Sequence, residues 1–127
     1  MKGNAERLRC LLRPLLAASA DKVRELNPKI THDLGWTAND AFVLRAYSEF
    51  RGRDDGEEVA ITVDAKIVGS KMEIESDVCR SDGTVITVGP TAVVPVPCDA
   101  ADGALRAWLQ RFEQFIRRTE GKIAGAQ

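Results

Sequence analysis

Three carboxylates at alternate positions, Glu73, Glu75 and Asp77, are the residues here whose spacing most resembles a device. In an extended strand they project from one side, roughly 6.6 to 7 Å apart, as a ridge of negative charge. A divalent cation needs about six or more oxygens converging on one point, which parallel side chains on one strand do not supply. One reading of the ridge is therefore a contact surface for a basic partner. Asp54, Asp55, Glu58 and Asp64 widen it into an acidic field, with Tyr47 beside them. The competing explanation is a solvated strand face on which Arg45, Lys66 and Lys71 answer the acids across the strands.

His32 is the single histidine and adjoins Asp33. With a cysteine supplied from elsewhere in the fold it could serve as a base near neutral pH. Adjacent residues seldom orient one another, however, and Cys10, Cys79 and Cys98 form no Cys-x-x-Cys pair and carry no thiol-enzyme signature. His32 is expected to be an ordinary loop residue. Cys10 and Cys98, beside apolar stretches, are expected to be small core residues. Arg7, Arg9, Arg13, Arg106, Arg117 and Arg118 could outline a basic groove, but the aromatic residues fall at core spacing and do not interleave with them, so no nucleic-acid partner is expected. Asp55-Gly56, Gly69-Ser70 and Asp82-Gly83 are reversal chemistry, and no glycine-rich phosphate cradle occurs. The expectation is no catalytic residue, no metal and no cofactor.

The chain that must position these groups has 127 residues, 44% of them hydrophobic, and a formal net charge of −1. That is the size and composition of one globular domain able to fold without disulfide or metal. Charge is uneven: +3 over residues 1–26, −1 over 27–40, −4 over 41–98 and +1 over 99–127. An odd cysteine count suggests a reducing compartment. Arg9, Arg13 and Glu6 interrupt the apolar leader that otherwise mimics an export signal, and no stretch reaches the roughly 20 apolar residues of a membrane span. The expected location is cytoplasmic, with no membrane partner.

Leu8, Leu12, Leu15, Leu16, Val23 and Leu26 recur at helical spacing and predict a helix over about 5–26, kinked or restarted at Pro14 and stopped by Asn27-Pro28. Residues 27–40 show neither period and read as a connector, with Trp36 as a lid on the core. From Ala41 the period becomes two. Phe42, Leu44, Ala46 and Phe50 begin a first strand, Asp54-Asp55-Gly56 turns, and Val59 to Ile67 forms a second. Met72 to Val78 forms a third and Thr84 to Val88 a fourth, the last extended after Gly89-Pro90 by Ala92 to Val96 as a continuation or an edge. Leu105, Trp108, Leu109, Phe112, Phe115 and Ile116 predict a helix over about 102–119, capped by Asp99 or Asp102, with a frayed tail after Gly121.

Short turns impose an antiparallel meander, and alternating strands have one buried face. The expected fold is a two-layer α+β domain: a four-stranded antiparallel sheet with the N-terminal and C-terminal helices on one face. The opposite face would then display Arg45, Tyr47, Glu49, Glu58, Thr62, Asp64, Lys66, Lys71, Glu73, Glu75 and Asp77. The inward strand residues are apolar apart from Ser76 and Thr87. Without a catalytic constellation, the function that size and charge favour is a non-enzymatic protein-binding module. The leading form is a bacterial immunity-type inhibitor whose acidic face covers a cognate toxin, such as a basic nuclease. The alternatives are a dimeric secretion-type chaperone or adaptor with an exposed apolar groove, and a small-molecule binder or enzyme with polar groups pointing inward. A homodimer is compatible with the sequence.

Overall fold

Every second side chain is buried over residues 44–50, 59–65 and 72–78 of the computed structural model, which describes residues 3–39, 43–52 and 58–126. Its elements are α1 (Asn4–Leu26), β1 (Thr31–Thr37), β2 (Leu44–Arg51), β3 (Glu58–Val68), β4 (Lys71–Arg80), β5 (Val85–Val88), β6 (Ala92–Pro95) and α2 (Gly103–Ala126). Ala46, Val63 and Ser76 lie directly across from one another on the inner side, and Phe50 faces Val59. The whole is an antiparallel meander in the order β1-β2-β3-β4-β5. β6 also pairs with β4, against Lys71–Ile74, whereas β5 pairs with Asp77–Cys79. β5 and β6 are thus two halves of one interrupted edge strand, as the Gly89-Pro90 punctuation suggests.

The interruption is a fastening point. Gly89 passes so close to the core that a Cβ there would lie 2.4 Å from Ser76 Oγ and 2.8 Å from Phe115 Cε2. The next carbonyl, that of Pro90, accepts hydrogen bonds from Ser76 Oγ (2.8 Å) and Trp108 Nε1 (2.9 Å). Two donors that burial would otherwise orphan are thereby satisfied, which explains a serine at an apolar position.

Both helices pack on the same face of the sheet, α1 over β1 and β2 and α2 over β6. α1 buries Leu8, Leu12, Leu16 and Val23, and α2 buries Leu105, Trp108, Phe112, Ile116 and Ile123. They run side by side and parallel. Arg7 Nη1 donates to the Cys98 carbonyl (2.8 Å) at one end, and Asn27 Nδ2 to the Ala124 carbonyl (3.1 Å) at the other. Asp102 caps α2 by accepting the Leu105 N–H at 3.0 Å. The α+β class, the meander and the two helices on one face are as the sequence leads one to expect.

Four expectations are corrected. The sheet has more than four strands, because the connector holds β1, paired with β2 along its full length from Thr31↔Arg51 to Thr37↔Arg45. Its inner side is His32, Leu34 and Trp36 and its outer side includes Gly35, so neither hydrophobicity nor strand propensity marks it. α1 does not restart at Pro14 but continues through it as one helix. Pro14 lies on the exposed side of the helix, where the loss of its N–H is least costly. α2 continues to Ala126, since Ile123 and Ala124 are buried and Asn27 holds the Ala124 carbonyl. Cys10 is exposed, lying off the Leu8-Leu12-Leu16 stripe. Phe42, Asp54, Asp55 and Gly56 lie outside the described residues.

Candidate functional site

The sheet surface away from the helices gathers the acids from four strands. Strand parity turns Thr31, Asp33, Gly35 and Thr37 of β1 to this side, with Arg45, Tyr47, Glu49 and Arg51 of β2. Glu58, Ala60, Thr62, Asp64 and Lys66 of β3 join them, with Lys71, Glu73, Glu75, Asp77 and Cys79 of β4. Of the predicted partner-binding residues, Tyr47, Glu58, Asp64, Glu73, Glu75 and Asp77 are brought onto this one face. Asp54 and Asp55 fall outside the described residues.

Both readings of the acidic ridge find their material here. Arg45 grips Asp64 with two hydrogen bonds, Nε to Oδ1 at 2.7 Å and Nη2 to Oδ2 at 3.3 Å. Arg51 Nη2 reaches Glu58 Oε2 at 2.9 Å, and Lys66 Nζ lies 3.8 Å from Glu73 Oε1. Those acids are answered. Among the described residues, Asp33, Glu49, Glu75 and Asp77 have no cation within ion-pair distance, and Asp77 accepts instead from the Thr62 hydroxyl. Among the described residues, seven carboxylates face four cations on this side, which leaves their sum negative.

A shallow hollow of about 300 Å³ lies in its middle, where Ala60, Thr62 and Cys79 leave room between Tyr47, Glu49 and Glu58. Partial burial, then the neighbouring Glu58, raises the Glu49 carboxyl above its ordinary range. The Arg51 guanidinium holds Glu58 below it. Tyr47 is committed locally: its ring lies over Gly35, where a Cβ would come within 2.1 Å of Cζ. Burial, followed by Asp77 and Asp64, pushes the Cys79 thiol up and so disfavours a thiolate.

His32 is not on this face. It sits on a strand rather than in a loop, with its ring 4.8 Å from that of Phe50 and Nε2 2.7 Å from Ser48 Oγ. Asp33, one residue on, points to the opposite side and cannot orient the ring. Burial is the main cause that lowers the His32 pKa. The pair His32 and Ser48 is a second instance of inward polar groups satisfying each other. Cys98, as expected, is buried, and burial raises its thiol.

One aromatic of β1 meets the basic helix layer, although the sequence sets it far from the arginines. Arg9 and Arg13 lie over Trp36, at 5.4 and 5.6 Å from the ring centroid. The guanidiniums use the ring that would otherwise be free to stack on a base.

Glu49 and Asp33 are missing from the predicted site residues. Glu49 was readable from parity with Arg45 and Tyr47, whereas Asp33 was hidden inside the unrecognised strand. No helix among the described residues is long and apolar enough to cross a membrane. No protein-family model, curated protein or solved structure matches the chain.

Proposed function

We propose that this chain is a protein-binding module, an immunity-type inhibitor whose uncovered sheet face receives a basic surface of its partner, such as a nuclease toxin. The observation that carries this reading is the division of labour between the faces. Both helices cover one side, and the other gathers carboxylates from four strands, four of them unanswered among the described residues. Such a surface accelerates encounter with a cationic partner, and salt weakens that effect.

The test uses the whole chain as bait at low and high salt, beside a variant carrying Glu73→Lys, Glu75→Lys and Asp77→Lys. The reading expects a basic protein retained at low salt, released at high salt, and lost by the variant while its melting temperature stays nearly unchanged. A partner held equally by wild type and variant would remove this face from the interface.

A dimeric chaperone or adaptor is the second reading, favoured by one observation. Val85, Val88 and Val93 stand exposed at the sheet margin, as a client-holding surface requires. A dimer mass in solution, with dye binding to apolar surface, would favour it over the inhibitor.

A further inference from the structure

The outward side of the interrupted edge strand is unlike the rest of its face. Ladder register sets Val85 beside Cys79, Val88 beside Asp77, Val93 beside Glu73 and Pro95 beside Lys71. Val88 is 74% exposed, Val93 54% and Val85 47%. From Thr84 to Cys98 the sequence contains no Asp, Glu, Lys or Arg, in a chain that is 29% charged. An apolar strip on the order of 30 Å long, at about 3.3 Å per residue, therefore runs beside the acids of β4.

We infer that this strip, bordered by Glu73, Glu75 and Asp77, is the seat of a basic amphipathic helix of the partner. The inference rests on the acidic-face reading and names the chemistry of what that face receives. Apolar centre with charged rim is the anatomy of a protein interface. A helix about 10 Å across spans two strands spaced about 4.8 Å apart, so its apolar side meets the valines while its lysines or arginines reach the β4 carboxylates. An added β-strand fits worse: Pro90, Pro95 and Pro97 offer no N–H, and the bulge at Val78/Cys79 breaks the register opposite β5. A second copy laid on the same face would set carboxylates against carboxylates.

The test measures binding of fluorescent peptides to the whole chain by anisotropy. The probes are an amphipathic Leu/Lys helix, its Leu/Glu counterpart, and a Lys/Ser peptide of the same length and charge as the first. The Leu/Lys helix is expected to bind at least about tenfold more tightly than either control, a difference set by apolar contact and charge sign together. Val88→Ser with Val93→Ser, which changes no charge at an exposed site, should cost about tenfold, as should Glu73→Gln with Glu75→Gln. Circular dichroism confirms that both variants fold. If the Lys/Ser peptide binds as well as Leu/Lys, or if the serine variant binds normally, the strip is not the seat although the acidic face survives. If the glutamine variant alone binds normally, the charged border is wrong. Failure of both basic peptides to bind would overturn the strip and the acidic face together.

Discussion

The two edges of the sheet solve one problem in opposite ways. An edge strand exposes unpaired backbone groups and invites association unless something guards it. β1 is paired without interruption to β2 and sets Thr31, Asp33 and Thr37 on its outer side, and Arg9 and Arg13 of α1 lie over its Trp36. The β5–β6 edge has no charge at all. Its guards are prolines, a bulge and a three-residue break whose middle carbonyl is bound by Ser76 and Trp108. Proline and charge are thus alternative protections with different side effects. Charge closes an edge and its surroundings to apolar partners, whereas proline blocks strand addition and leaves the side chains available.

The β5–β6 edge is most vulnerable at Gly89. Gly89→Ala drives a methyl into Ser76 and the Phe115 ring, and is expected to lower stability by about 1–3 kcal/mol, seen as an earlier urea midpoint. An unchanged midpoint would mean that the break is slack rather than a fastening.

A smaller effect sharpens the β1 side through pH. The folded-state pKa of His32 is lowered, so the folded protein binds its proton less readily than the unfolded chain. The stability due to neutral His32 is therefore complete above the ordinary value of 6.5 and is lost as pH falls through the lower folded value. His32→Gln should flatten the fall of melting temperature over that acid range. A variant with the same slope as wild type would assign the dependence to other groups.

The smallest effects discriminate the edges directly. Arg9→Ala with Arg13→Ala is expected to cost about 0.5–1 kcal/mol for each lost cation–π contact at this exposed site. Val88→Ser with Val93→Ser should change stability by no more than about 0.5 kcal/mol for each substitution, since both side chains are more than half exposed. Thermal melts of the two double variants, compared side by side, check the asymmetry. A valine variant that melts well below the arginine variant would show that the strip is structural.

Much of this was legible in the sequence, for identifiable reasons. β3 and β4 declare themselves because Val59 to Ala65 and Met72 to Val78 alternate between apolar inner and mostly polar outer positions. The acidic face follows from that parity. β1 escaped because Gly35 weakens it and His32 and Trp36 depend on tertiary partners, Ser48 and the two arginines, that no local window contains. The end of α2 escaped for a similar reason, since Asn27 holds it from 97 residues away. The valine strip reads from the sequence as a possible edge. Its juxtaposition with the β4 acids needed the register.

The parallel course of α1 and α2 carries a practical consequence for anyone building on this domain. A helix of 23 residues, such as α1, is about 34 Å long at about 1.5 Å per residue, so the start of α1 and the finish of α2 emerge at opposite poles. Joining them in a circularly permuted chain would take a bridge of roughly ten extended residues. Labels or fusion domains attached at the two poles would flank the domain lengthwise, keeping clear of the broad sheet surface between them.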